Sequence, residues 1–325
     1  MRTARLSVLS ENVTANWPVT LSINARWTVG AARAPRSGTI APALARFDAH
    51  THLFAPSQAA RRAGIAARDA TFAEMYGDPK AAMATLPELL AALDGAGIAR
   101  AVAAGFAFTS AADIEEQNAS LLDAARDSDG RVVALATVNP ALAGWERAAE
   151  AALAGGARGF GELRPHNQGW DPDGRAAHDL CELAGAHGAV LLWHVSEPVG
   201  HAYPGKRGGI APEELIRLAA AHPGVRMVAA HLGAGLSFYL QMPEVRAAIE
   251  FLYFDTAAYP LLYDEQSVMR LVALAGTKRV LFGSDYPLLS PARQLRRLEA
   301  VLGEDVAEAV CGGNAETLFS GNHTQ

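Results

Sequence analysis

The chain has 325 residues, half of them hydrophobic and 19% charged, with a formal net charge of −6; this suits two average globular domains or one large α/β barrel. Positive charge is nearly all arginine, with only Lys80, Lys206 and Lys278 as lysines, and without a basic block there is no electrostatic footprint for a nucleic acid. No apolar run reaches the ~20 residues of a membrane span, and Cys181 and Cys311 match no Cys-x-x-Cys spacing, which suits idle thiols in a reducing, cytoplasmic setting.

Residues 1–45 stand apart. They carry arginine but no lysine, one acidic residue (Glu11) and many Ser, Thr, Asn and Ala, and they lack the hydrophobic core of a secretory signal. We read them as a disordered extension or a start assigned too far upstream, an organelle transit peptide being the alternative. Residues 46–325 then form one domain of 280 residues, close to the ~250 typical of a (β/α)8 barrel.

From residue 46 onward, short apolar runs alternate with amphipathic stretches. Strands are expected over 46–50, 100–106, 131–138, 158–163, 189–195, 225–230, 252–256 and 280–283. Between them, residues 86–96, 112–126, 144–154, 174–187, 212–221 and 243–251 space apolar side chains as helices do. Gly97, Gly130, Gly155, Gly188 and Gly224 supply stop signals, and Pro212 and Pro291 suit first turns. Strand–helix alternation of this kind predicts an α/β fold, a closed (β/α)8 TIM barrel. A doubly wound sheet lacks support, since no Gly-x-Gly-x-x-Gly follows the first strand and no P-loop occurs. Residues 53–85 are long for a βα loop and carry Phe54, Phe72, Met75 and Tyr76; in a barrel they would overhang the mouth and cover a substrate.

The first strand ends in Phe47-Asp48-Ala49-His50-Thr51-His52. Side chains at i and i+2 of a strand share a face, so these two imidazoles can converge on one ion. Polar residues recur at later strand ends: Glu162 and Arg164 after the fourth, His194 after the fifth, His231 after the sixth and Asp285 after the eighth. Catalytic groups of a barrel come from the carboxyl ends of several strands. A lone histidine there is more often a packed or surface residue, Asp285 could cap a helix, and Glu162 could pair with Arg164. Coincidence at all of these positions together is a much poorer explanation. His166, His178, His187, His222 and His323 do not follow the strand-end rule, and we assign structural roles to His178, His187 and His222.

With FDAHTH on the first strand, LLWHVSEP and VAAHLGAG on the fifth and sixth, LFGSDYP on the eighth and the tail CGGNAETLF, the chain resembles the amidohydrolase superfamily of metal-dependent barrel enzymes, in its amidohydrolase-related branch. The resemblance spans about residues 46–319 and is specific for the superfamily, not for a substrate. It implies that His50, His52 and Asp285 bind a divalent metal and that His194 and His231 are ligands or acid–base groups. In a one-metal arrangement His50, His52, His194 and Asp285 hold the ion and His231 moves protons. In a two-metal arrangement a strand-4 residue bridges the ions, and Glu162 stands where that bridge would be. We rank one ion ahead of two, with zinc first and Mn, Fe or Co as alternatives, because nitrogen and oxygen donors without cysteine suit all four.

Metal-bound water can ionise near neutral pH, so the first expectation is a hydrolase of an amide, lactone or related carbonyl of a small molecule. Asp285 would relay the proton, and His231, or His194 in the other arrangement, would steady the oxyanion. Arg164 is the candidate for gripping a substrate carboxylate, and His201, in a Gly/Pro-rich loop after the fifth strand with Glu197, Tyr203 and Lys206, is a second substrate-binding candidate. The alternative, implied by the same branch, is a non-oxidative decarboxylase of an aromatic or unsaturated acid, in which His231 or Asp285 protonates carbon and Arg164 meets the carboxylate. A catalytically inert metal-binding barrel ranks third. Partners are thus a small-molecule substrate, with neither nucleic acid nor membrane, and self-association into a homo-oligomer is left open.

Overall fold

The structure, a computed structural model, describes residues 45–320; the expectation for the extension, all but its last residue, and that for His323 lie outside the described residues. Eight parallel strands appear in the expected places: β1 (Phe47–His52), β2 (Arg100–Ala104), β3 (Val132–Leu135), β4 (Gly159–Leu163), β5 (Val190–Trp193), β6 (Met227–Ala229), β7 (Leu252–Asp255) and β8 (Val280–Leu281). β1 to β3 pair in sequence order, as do β4 to β8. Two seams close the ring. At one, Ala136 bridges Phe160 and the Gly161 amide donates to Ala136 O at 3.0 Å. At the other, Thr51 bridges Tyr286, while Ala49 N donates to Phe282 O at 2.7 Å and Asp285 N to His50 O at 2.9 Å. The fold is a (β/α)8 barrel.

Strand alternation sorts the apolar residues into two layers. Phe47, Val102, Ala104, Val133, Leu135, Val190, Leu192, Val228 and Leu281 fill the interior, closed at its lower end by Leu318 and Phe319. Intervening residues such as Ala103, Ala134, Leu191 and Ala229 face outward, beneath helices that contribute Leu93, Leu121, Leu180 and Leu218. Those helices begin and end where local chemistry directs. Helix Leu86–Ala96 starts at a capping box in which Thr85 N donates to Glu88 Oε2 at 2.7 Å, and it stops at Gly97 with φ 67°. Both cysteines are buried and free. Among the described residues no helix is long and apolar enough to cross a membrane.

Residues 53–85 fold over the carboxyl ends of the strands as short helices, Pro56–Ala60, Arg62–Ala66 and Ala70–Tyr76. Their apolar faces form a separate cluster in which Phe54, Ile65 and Phe72 meet Phe106 and Phe108. The Phe72 ring lies 5.5 Å from Phe106 and 5.7 Å from Phe108. Asp69 starts the third helix by accepting from Phe72 N at 2.9 Å, and its other oxygen accepts from Thr109 N at 3.2 Å. The segment is therefore docked onto the rim as well as lying over it.

Candidate active site

Register shifts aim the first-strand histidines and Glu162. β1 pairs Asp48 with Ala101 but Thr51 with Ala103, so β1 accommodates one extra residue. With side chains alternating, that slip sets His52 opposite interior-facing Ala104 and turns His50 the same way. β4 slips likewise between Phe160 and Leu163, bringing Glu162 inward. His194 needs no such device: it continues the inward series Val190, Leu192. His231 and Asp285 adopt left-handed backbone at φ 58° and 63°, which costs roughly 1–3 kcal/mol for a non-glycine residue and is tolerated where surroundings demand it. Gly283 lets β8 close on β1, since a Cβ there would sit 2.8 Å from His50 Cβ.

The strand-end residues meet as two triads, His50/His52/Asp285 and Glu162/His194/His231, each with one ligand atom per residue within 4.8 Å of the others. In the first, His50 Nε2 lies 3.1 Å from His52 Nε2, which is 3.3 Å from Asp285 Oδ1. In the second, Glu162 Oε1 is 2.8 Å from His194 Nδ1 and 3.0 Å from His231 Nε2. Glu162 links them, with His50 Nε2 3.9 Å from Oε1 and His52 Nε2 3.9 Å from Oε2. His194 thus joins the cluster through Glu162 and His231 and stands apart from the His50/His52/Asp285 set.

One member of the constellation was missing from the strand-end reading. Asp255, fully buried at the end of β7, accepts from His50 Nδ1 at 2.7 Å, and its second oxygen accepts from the amides of His231 and Ala257, each at 3.0 Å. The signal was present in Leu-Tyr-Phe-Asp at the close of an apolar run. Asp255 settles His50: with Nδ1 donating to a carboxylate, Nε2 is the nitrogen left facing the cluster, the one whose lone pair a cation would take on displacing its proton. His231 Nδ1 donates in the same manner to Ala257 O at 3.1 Å.

The electrostatics show what the cluster wants. Burial would raise Glu162, but His194 and the hydrogen bond from His231 hold it well below the usual carboxylate range. Burial likewise works against the charge on Asp285, yet His52 and His50 keep it at about 2. Burial disfavours charge on His50 as well, but Asp255 carries it up to about 10; His231, opposed by burial and supported by Glu162, rises to about 9. His194 falls to about 4 through burial and the neighbouring Arg164 charge. Two carboxylates are thus held ionised, and two imidazoles carry the protons that offset them. A divalent cation can displace the His50 proton and supply positive charge to the same carboxylates, and hard oxygen plus imidazole nitrogen donors without thiolate are the ligand types such ions take. The residues fit a divalent metal.

The cluster opens into a cavity of about 630 Å³ beneath the covering segment. Met75, Tyr76, Phe106, Leu262 and Leu288 supply apolar walls, and Arg164 and His201 also line it. Arg164 is 1% exposed. Its Nε donates to Asn167 Oδ1 at 2.9 Å and its Nη2 to the carbonyls of Gly205 and Arg207, while buried Nη1 has no partner among the described residues. The alternative pairing of Arg164 with Glu162 is not formed, since Glu162 is engaged by imidazoles. His201 sits exposed at the rim. Glu197 and Tyr203 are occupied with each other: Tyr203 and Tyr263 donate to the two oxygens of Glu197 at 2.8 and 2.9 Å. His178 and His222 lie elsewhere, 2.7 Å apart.

Residues 47–321 match the protein-family model described as amidohydrolase. Among solved structures, 5-carboxyvanillate decarboxylase from Sphingomonas paucimobilis is similar at a TM-score of 0.69 and 16% identity, over 86% of this chain and 100% of that one. The 5-carboxyvanillate decarboxylase from Novosphingobium aromaticivorans, solved with manganese and 4-hydroxy-3-methoxy-5-nitrobenzoic acid, is similar at 0.68 and 18% identity, over 85% of this chain and 96% of that one. The 2,6-dihydroxybenzoate decarboxylase from Rhizobium is similar at 0.64 and 13% identity, over 85% and 99%. No curated protein sequence matches the chain.

Proposed function

The chain belongs to the amidohydrolase family, and we propose that it is a divalent-metal-dependent, non-oxidative decarboxylase of small aromatic carboxylic acids. The observation that carries this reading is Arg164, a buried guanidinium with one unpartnered nitrogen in the wall of the cavity that holds the histidine–carboxylate cluster. Leaving a buried charged donor unpaired is costly, and a substrate carboxylate satisfies it. The apolar walls suit an aromatic ring, and the similarity to decarboxylases of aromatic acids supports the choice over hydrolysis. For the first expectation, a hydrolase, support reaches only as far as the superfamily.

We assign His50, His52 and Asp285 to the ion, with Glu162 and His194 adjoining it. Manganese is the ion to try first, ahead of the zinc expected initially, given its presence in a similar structure. When bound, the ion supplies positive charge that orients substrate oxygens and stabilises developing negative charge. Overall a carbon–carboxylate bond is exchanged for a carbon–hydrogen bond: the ring carbon gains a proton, and the electron pair of the broken bond stays with the ring as CO2 departs. His231 is the assigned proton donor, since Glu162 and Ala257 O hold both of its N–H groups, whereas Asp285 is kept ionised. Arg164 fixes the carboxylate, and the covering segment excludes water from the ring.

The test is incubation of manganese-loaded protein with hydroxylated benzoates and with ester, lactone and amide panels. CO2 release without net water addition is expected. Hydrolysis of a carbonyl substrate with no CO2 from any acid would reject the proposal.

A further inference from the structure

The backbone of Gly205 has two side-chain partners, one after β4 and one on the covering segment. Its carbonyl accepts from Arg164 Nη2, and its amide donates at 3.0 Å to Oε1 of Glu74, a residue of the covering helix Ala70–Tyr76. The loop around it is stitched together: Lys206 Nζ donates to Val199 O and His201 O at 2.5 and 2.7 Å, and Asn167, which accepts from Arg164 Nε, has its own amide on Gly208 O at 3.0 Å. Gly205 has φ +81°, a backbone that strains any other residue, and a Cβ there would push on Met75 Sδ at 2.9 Å. The N–H and C=O of Gly205 belong to successive peptide units that meet at its Cα, so holding the amide on Glu74 anchors the residue whose carbonyl grips Arg164.

We propose that Glu74 is a positioning residue for carboxylate recognition: by anchoring the backbone of Gly205 it holds the Arg164 guanidinium in its place in the cavity wall. The inference rests on the reading of Arg164 under the proposed function. It couples closure of the covering segment to the charge of the ligand, since a displaced helix releases Gly205 and with it the arginine. Glu74 acts here as a hydrogen-bond acceptor. Acting only as a nearby negative charge, it would instead weaken anion binding.

The sign of the effect separates these roles. Benzoate and the near-isosteric neutral benzamide serve as probes, titrated calorimetrically into the full-length, manganese-loaded protein. Glu74→Ala should weaken benzoate about three- to tenfold, the worth of one hydrogen bond, and leave benzamide unchanged. Glu74→Gln, which keeps an acceptor oxygen, should restore benzoate binding. Gly205→Ala, which disturbs the same backbone from the Met75 side, should reproduce the selective loss. Unchanged or tighter benzoate binding in Glu74→Ala, or an equal loss of both probes, would overturn the inference. Arg164→Ala keeps the two readings apart. If it removes the preference for benzoate while Glu74→Ala does not, only the role of Glu74 is wrong; if it preserves that preference, the reading of Arg164 fails and takes the role of Glu74 with it.

Discussion

Asp255→Asn tests how the cluster is held. The side chain is isosteric, and its oxygen can keep the two backbone amides that Asp255 Oδ1 accepts at 3.0 Å. The new amide nitrogen then faces His50 Nδ1 across 2.7 Å, donor against donor. His50 must move its proton to Nε2, the atom directed at His52, and so withdraws its lone pair from the ion. A hydrogen bond to a charged partner is worth about 1.5–3 kcal/mol, and loss of such an outer partner typically costs about 10–100-fold in metal affinity, or about 1.4–2.8 kcal/mol. The two figures agree, so manganese should bind about 10–100-fold more weakly while the fold is retained. Chelator-competition titration reads the affinity, with elemental analysis after dialysis for content and circular dichroism for the fold. The variant should also have a metal-free His50 that titrates well below its present value of about 10, because the largest influence, burial, would no longer be offset by the Asp255 charge. An affinity within about twofold of the parent would mean that Asp255 does not set the tautomer of His50.

Three further outcomes follow from the same geometry. Metal-free His50 carries its proton up to about 10; an ion bound at His50 must displace that proton at neutral pH, so metal affinity should fall as pH drops below about 10 and level off above it. Titration in buffers of different ionisation enthalpy should count the His50 proton released while His231 keeps its own, and no release would contradict the assignment. Removing the ion with chelator should abolish turnover and lower Tm; restoring manganese at about 100-fold over Kd adds about 2.7 kcal/mol, which in a barrel of this size is roughly 4–5 °C by scanning fluorimetry. Phe72→Ala empties the centre of the cluster beneath the covering segment and should cost about 3–5 kcal/mol in denaturant unfolding, unless that segment melts independently. In that case, protease nicking confined to residues 53–85 would reveal it.

Much of the molecule was legible in one dimension. Strand alternation, helix periodicity and glycine or capping stops are local, so all eight strands and helices such as Leu86–Ala96 and Pro212–Ala221 could be placed from the residues alone, and with them the strand ends at which chemistry collects. The residue types of the candidate ligands were equally visible. Tertiary contact decided how those groups meet. Register shifts in β1 and β4 turn His50, His52 and Glu162 inward, and they arise from pairing between strands, which no local pattern records. His194 joins through Glu162 and His231, and Asp255 reaches His50 across 205 positions of chain. Arg164 is held by carbonyls of a distant loop, leaving one nitrogen free. Propensity and alternation act over a few residues and can be read in sequence order, whereas the pKa of His50 and the aim of Arg164 depend on the low-dielectric neighbourhood that exists only once the barrel has closed.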